Sequence, residues 1–336
     1  MAEWVGPDEP FAHLGGLRGT GLRDLTSDLS ALDSSGWWAV VVTFEGTAVC
    51  ARFDDVRVAP LRSSPWRGPA RHEWVSSMSR EDYVKAVGSI RDRIARGDVY
   101  QANLCRVLSA PLRDRCPIEG LAQVLATGNP APYSGVVEVP GAAVVSASPE
   151  LFLRRDGRVV ESSPIKGTGR TESDLLPKDD AENIMIVDLV RNDLGRVCET
   201  GSVSVPELLK VEEHPGLVHL VSTVRGELRT GTGWAELLDA TFPPGSVTGA
   251  PKSSALRIIR ELEPTPRGPY CGAVGFVDAD RRKGTLAVGI RSFWEAEGAL
   301  HFGTGAGITW GSDPDGEWDE TELKAERLVG LASSGS

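Results

Sequence analysis

Apolar and polar positions in this chain mostly alternate with a period of two, broken by a few stretches of helical period. Residues 37–50 carry the run Trp37-Trp-Ala-Val-Val-Val-Thr-Phe ahead of Glu45-Gly46 and predict a strand. A helix is predicted from Ser79, which can cap it, with Glu81 and Asp82 in the first turn. Tyr83, Val87, Ile90 and Ile94 follow at helical spacing, and Gly97 stops it. Residues 99–108 alternate again, placing Val99, Gln101, Asn103 and Cys105 on one strand face. Two amides on one face form either a solvated edge or the polar wall of a site.

Strands are predicted at 134–139 and 142–148, ending in Ser148-Pro149-Glu150, then a hairpin about Asp156-Gly157. A helix follows from Lys178, with Ile184, Val187, Val190 and Leu194 as its core stripe. Residues 211–228 read as extended. The Gly/Pro-rich stretch 242–251 is a loop feeding a helix at 252–262. Glycine-punctuated strands occupy 270–310, and a last helix spans 316–328. Residues 1–35 are weakly patterned, and 54–78, with Pro60, Pro65 and Pro69, read as a linker or irregular loop. No fixed-period repeat or low-complexity tract is present.

The 336 residues allow two domains or one large α/β-type unit, and a hydrophobic fraction of 40% suffices for a core. A net charge of −11 without a basic stripe argues against a nucleic-acid partner. No apolar run approaches the ~20 residues of a membrane span, and no signal peptide is visible, so a cytoplasmic protein is expected. Five widely spaced cysteines without a Cys/His cluster point to reduced thiols rather than a zinc site.

Candidate chemistry concentrates in four places. In Pro164-Ile165-Lys166-Gly167-Thr168 a lysine stands between a proline and a glycine. Such an amine is a nucleophile if burial or a nearby cation lowers its pKa, and a surface turn lysine otherwise. Asp179 and Glu182 lie at i and i+3 of one helix, and Glu317, Glu320 and Lys324 at i, i+3 and i+7 of another. Paired carboxylates with oxygen ligands only suit Mg²⁺. Gly303-Thr-Gly305-Ala-Gly307 can bring backbone N–H groups close to an anion, or serve as packing glycines. His219 lies in an apolar strand and reads as a satisfied core residue, whereas Arg291, in another apolar strand, is a charge that calls for a partner such as a carboxylate ligand.

Taken in order, the motifs resemble the chorismate-utilising enzymes, the family of anthranilate synthase component I. The matching stretches are Gly97-Asp-Val-Tyr-Gln101-Ala-Asn-Leu, Ser148-Pro-Glu150, Pro164-Ile-Lys166-Gly-Thr168, Lys178-Asp-Asp-Ala-Glu182-Asn, His219-Leu-Val-Ser-Thr, Pro244-Gly-Ser-Val-Thr248-Gly-Ala-Pro-Lys252, Tyr270, Arg291, Gly303-Thr-Gly305-Ala-Gly307 and Glu317-x-x-Glu320-x-x-x-Lys324. Together they cover residues 79–330. The resemblance implies an α+β fold of two packed β-sheets flanked by helices, with a short segment 1–78 adding strands to a catalytic domain at 79–330.

It also implies roles. Glu182 and Glu320, with Asp179 and Glu317, would hold Mg²⁺ against the substrate's ring carboxylate. Arg291, Tyr270 and the backbone of Gly305, Ala306 and Gly307 would hold the enolpyruvyl carboxylate, with Thr248 and Lys324 also touching substrate. Glu150 would be the general acid, Lys166 the nucleophile, and His219 a further catalytic residue. Gln101 stands where water-using members place a lysine base, and Lys166 where anthranilate-type members carry alanine. By the resemblance, the first implies ammonia as the nucleophile and the second the para-aminobenzoate branch. The alternatives are an anthranilate or aminodeoxyisochorismate synthase, or a subunit that binds chorismate without turnover. The segment before residue 79 is shorter than in full-length relatives, which argues against an amino-acid effector pocket there. No glutaminase domain fits, so free ammonia or a separate glutamine amidotransferase subunit is the expected nitrogen source.

Overall fold

The computed structural model describes residues 9–112, 117–169, 171–175, 177–214 and 217–333, without the side chains at 168, 177–179, 214 and 217. In chain order the elements begin with β1 (Phe11–Leu14), β2 (Leu17–Thr26), β3 (Trp37–Val42), β4 (Ala48–Val58), β5 (Val75–Ser76), α1 (Arg80–Ala95), β6 (Gln101–Pro111) and α2 (Ile118–Gly128). Next come β7 (Tyr133–Val139), β8 (Ala142–Ser148), β9 (Leu151–Asp156), β10 (Val159–Ser163), β11 (Ile165–Gly169), α3 (Pro177–Gly195), β12 (Ser204–His214) and β13 (Leu217–Glu227). The remainder are α4 (Trp234–Thr241), β14 (Gly249–Ala250), α5 (Lys252–Leu262), β15 (Ala273–Asp278), β16 (Lys283–Val288), β17 (Ser292–Ala296), β18 (Ala299–Ile308) and α6 (Pro314–Ala332).

Every ladder is antiparallel, and together they form two half-sheets. One runs β12–β13–β10–β9–β16–β15–β3–β4, with β11 also on β13. The other runs β1–β7–β8–β17–β18–β6, with β5 and β14 on β6. β2 joins them, pairing with β1 and with β4, so one continuous ladder links the halves of the α+β fold. The largest apolar cluster draws on both, with Trp37, Val40, Leu153 and Leu286 from the first and Val107, Val137 and Trp294 from the second. Helices cover the flanks. α2 and α6 lie over Phe293, Phe302 and Val145, and α1 and α5 over Leu104 and Ile308.

Ser79 caps α1 as expected, accepting from the Asp82 N–H at 3.1 Å. Three expectations are revised. The predicted strand at 37–50 is two strands, β3 and β4, reversing at residues 43–47. The weakly patterned start contains β1, only four residues long, and β2, whose exposed end dilutes its alternation. In α3, Ile184 is 48% exposed, and Ile186 takes its place beside Val187, Val190 and Leu194. Among the described residues no helix is long and apolar enough to cross a membrane. Cys50, Cys105, Cys198 and Cys271 are buried free thiols, and Cys116 lies outside the described residues.

Candidate active site

The ends of the two half-sheets, β11–β13 and β18–β6, meet where Lys166 of β11 comes beside Gly307 of β18. β11 pairs with β13 through Ile165↔Val221 and Thr168↔His219, with a register shift between. Lys166 sits in that irregularity, followed by Gly167 at φ 83°, a backbone region that side chains disfavour. A bulge re-aims the side chain it carries. Lys166 Nζ accordingly lies 3.8 Å from Glu182 Oε2, with the lysine side chain only 12% exposed. The surface-turn alternative does not describe this residue.

The opposing surface is the ladder of β6 and β18. Its odd-numbered residues, Gln101, Asn103 and Cys105 on β6 and Gly303, Gly305 and Gly307 on β18, share one face. A Cβ on Gly307 would fall 2.3 Å from Gln101 Nε2 and 3.3 Å from both Asn103 Oδ1 and Lys166 Nζ. Only glycine leaves this space to the polar groups. Gln101 Nε2 donates to Glu182 Oε2 at 3.4 Å. Lys166, Glu182 and Gln101 therefore meet at Gly307. The amide pair forms a buried wall rather than a solvated edge, since Gln101 is 0% and Asn103 9% exposed. The side chain of Ala306 points into the apolar cluster beneath α1 and α5, so only its backbone is available to the site face.

Glu150 and Arg291 sit where the chain crosses between half-sheets. Glu150 lies between β8 and β9, Arg291 between β16 and β17. The crossings are tied together, because the Ala147 N–H donates to Arg291 O and the Val288 N–H to Glu150 O, both at 3.0 Å. Arg291 takes φ 52°, a costly backbone for a non-glycine residue that the crossing holds. Burial pushes the Glu150 carboxyl up to about 7, opposed by a hydrogen bond from Ser246, the charge of Lys166, the backbone of Ile165 and the charge of Arg291. Burial likewise lowers the Arg291 guanidinium, and the Glu150 charge counteracts it. A carboxyl that titrates near neutral pH thus stands close to Lys166 and Arg291.

α6 approaches the edge of β18 that β17 leaves free beyond Phe302. Lys324 Nζ donates to Gly305 O at 3.1 Å and pairs with Glu320 at 2.6 Å. Glu317 lies one turn earlier and is half-buried. Gly305 and Gly307 are about 7 Å apart along a strand, so Glu182 and Glu320 flank one short segment. Among the described residues no three acidic, histidine or cysteine side chains gather tightly enough to cage a metal. The side chain of Asp179 lies outside the described residues. Mg²⁺ needs no protein cage, since it keeps waters and takes one or two carboxylates. The oxygen-only set of Glu182 and Glu320 fits it.

The other predicted residues are placed as follows. His219 is 1% exposed on β13, in register with Thr168 and Glu212. Thr248 is fully buried, its hydroxyl donating to Pro244 O at 3.0 Å. Tyr270 is buried, its ring against Gly303, where a Cβ would fall 2.0 Å from it. Sequence reasoning assigned no role to Ser246, which bonds Glu150, or to Asn183 and Ser222, whose side chains bond each other at 2.5 Å beneath α3. All three stand inside the quoted motifs, which was the available signal.

The chain is similar to known proteins. A family model described as chorismate binding enzyme matches residues 42–330. Anthranilate synthase component 1 1 of Haloarcula marismortui is 43% identical over 266 residues, covering 76% of this chain and 54% of that protein. Aminodeoxychorismate synthase component 1 of Klebsiella aerogenes is 40% identical over 268 residues, covering 76% of this chain and 59% of that protein. The chain thus spans just over half the length of these curated relatives. Anthranilate synthase component I from Streptococcus pneumoniae superposes with TM-score 0.78 at 24% identity, over 98% of this chain and 94% of that one. The menaquinone-specific isochorismate synthase of Escherichia coli gives 0.78 at 17% identity, over 98% and 90%, and like the first speaks to fold alone. By its matched residues, its relatives and its fold, this chain belongs to the chorismate-binding enzyme family.

Proposed function

We propose that the chain is an aminodeoxychorismate synthase component 1, which replaces the 4-hydroxyl of chorismate with an amine and retains the enolpyruvyl group. The observation that carries this reading is Lys166, a sequestered amine 3.8 Å from Glu182 and directed at the Gly307 face. Glu150 supplies the second requirement, a carboxyl raised to about 7 and so still partly protonated near neutral pH.

The Lys166 amine attacks C2 of the ring, the double bonds shift, and the 4-hydroxyl leaves as water with the Glu150 proton. Ammonia then attacks C4, the double bonds shift back, and the C2–N bond to Lys166 breaks. Ammonia gives up one proton as the lysine amine is released, and Glu150 regains its own from the attacking lysine or solvent. The net reaction consumes chorismate and ammonia and yields the 4-amino product and water. Two displacements through a covalent lysine replace one difficult step. Arg291 and the backbone at 305–307 offer donors for the side-chain carboxylate. Glu182 and Glu320 would hold Mg²⁺, with Asp179 and Glu317 near, to supply positive charge opposite the ring carboxylate. Nitrogen comes from free ammonia or from a separate glutamine amidotransferase subunit, and the product would feed para-aminobenzoate and folate or a specialised metabolite.

A second reading, amination at C2 to give anthranilate, is favoured by relatives. Proteins named anthranilate synthase component 1 reach 43% and 41% identity, slightly above the 40% of one named aminodeoxychorismate synthase component 1. Incubation with chorismate, Mg²⁺ and ammonium, followed by mass and ultraviolet identification of the product, separates the two. A 4-amino product supports the first reading, and anthranilate overturns it.

A further inference from the structure

We propose that Arg267 is a positioning residue for the general acid, clamping β6 to the loop at 244–248 so that the Ser246 hydroxyl meets the Glu150 carboxyl; this rests on the reading of Glu150 as that acid. Arg267 is 1% exposed. Its Nη1 donates to Val247 O at 2.8 Å and its Nη2 to Asn103 O at 3.2 Å. One guanidinium thus grips both the residue after Ser246 and a residue of β6. Its charge is met by Glu263, which accepts from Nε at 2.8 Å and from Nη2 at 2.6 Å. Such a planar fork can serve a carboxylate and two carbonyls at once, which a lysine cannot.

The edge of β6 explains why a fork stands there. β14 covers that edge at Gln101 and Ala102, and the Asn103 N–H still reaches Thr248 O at 2.8 Å. Among the described residues no strand continues beyond that point until the Ser77 N–H meets Val107 O at 2.8 Å. The gap leaves Asn103 O and the Cys105 N–H. Arg267 takes the first, and Glu263 Oε1 accepts from the second at 2.8 Å. Buried backbone groups need partners, and here a pair of charged side chains stands in for a strand.

Ser246 is held on both sides by this arrangement. Its carbonyl accepts from Asn103 Nδ2 at 3.4 Å, and the next carbonyl, Val247 O, accepts from Arg267. The Thr248 hydroxyl closes the turn on Pro244 O at 3.0 Å and Gly245 O at 3.2 Å. The Ser246 hydroxyl bonds the Glu150 carboxyl, which the charges of Lys166 and Arg291 and the backbone of Ile165 also face. A donated hydrogen bond favours the ionised carboxylate, so losing it pushes the carboxyl further up. An arginine that only braced β6 would leave no such mark on Glu150.

The test is the pH dependence of kcat/KM for chorismate, measured at constant free ammonia. In Arg267→Met the midpoint of the fall at high pH should move up by about half to one pH unit, the worth of one hydrogen bond. Ser246→Ala should move it likewise. Combining the two should add nothing further, because both act on one bond. Should Arg267→Met not fold, Arg267→Met with Glu263→Gln is read in the same way. The glutamine keeps an acceptor for the Cys105 N–H and leaves no buried carboxylate unpaired. A loss of rate at every pH with the midpoint unmoved or lowered would overturn the proposal, leaving Arg267 as a brace of β6. Additive shifts in the combined variant would also overturn it. A flat wild-type profile would overturn the acid reading and this proposal with it, and is seen before any variant is made.

Discussion

The two faces of the β6–β18 ladder are built from the same strands to opposite ends. The even face carries Ala102, Leu104, Ala306 and Ile308 under α1 and α5, all nearly inaccessible. Further along, Arg106 lies over the Trp318 ring at 4.1 Å and donates to Thr321. The odd face carries glycines on β18 and amides and a thiol on β6. It gives up side-chain packing, and the vacated space is taken by Lys166 and Gln101. A strand's period of two permits this division, because stability can be concentrated on one face while the other is left for chemistry.

The largest effect should come from the odd face. Lys166→Ala removes the amine and leaves the carboxylates and Arg291 in place. Formation of the 4-amino product should fall on the order of a thousandfold or more, as when a nucleophile is deleted, while chorismate binding persists in calorimetry. Intact-protein mass spectrometry of wild type quenched with chorismate and no ammonia should place an adduct on the Lys166 peptide. Wild-type rates in the variant would make the lysine a positioning charge.

Adjacent residues sharpen the comparison. Ile308→Ala should cost about 2–5 kcal/mol in urea unfolding and leave substrate affinity alone. Gly307→Ala should do the reverse, lowering kcat/KM on the order of a hundredfold by displacing Gln101, with a small change in stability. Equal effects on both properties in both variants would erase the distinction between faces.

Glu150 links stability to pH. Its carboxyl rises from 4.5 to about 7 on folding, so the folded protein holds that proton more tightly than the unfolded chain. The stabilisation is complete below pH 4.5, declines between 4.5 and 7, and is lost above 7. The shift corresponds to about 3 kcal/mol. Glu150→Gln should remove this slope, gaining about 3 kcal/mol on wild type between pH 4.5 and pH 8 in urea unfolding. In wild type, kcat/KM should fall as pH rises through about 7. A flat rate profile would remove Glu150 as the acid.

The smallest effect concerns the metal. Glu182→Gln deletes one anionic ligand and should raise the Mg²⁺ concentration for half-maximal activity about tenfold. Full turnover of the wild type in EDTA would refute the Mg²⁺ assignment.

Local pattern revealed α1, with its Ser79 cap, and most strands from β6 onward, though not β11, β14 or the start of β12, because their spacing repeats within a few residues. It missed β1, which is only four residues long, and β2, whose alternation is diluted by glycines and exposed positions. Ile184 was misread because helical spacing defines a stripe but not which neighbouring stripe meets the sheet. The candidate residues were legible as motifs, while their relations were not. Gln101 and Glu182 are 81 residues apart, and Asn103 and Ser246 are 143 apart.

The sequence by itself determined the chemical groups: a lysine in a proline–glycine setting, paired acids on two helices, alternating glycines on one strand. These are fixed by residue identity and short-range spacing. Only the tertiary structure decided that Glu150 is buried enough to raise its carboxyl to about 7, that Gln101, Asn103 and Lys166 meet over Gly307, and that Ala306 faces away. Desolvation and hydrogen-bond orientation depend on what packs against a group from distant parts of the chain, and alternation along one strand carries no record of that.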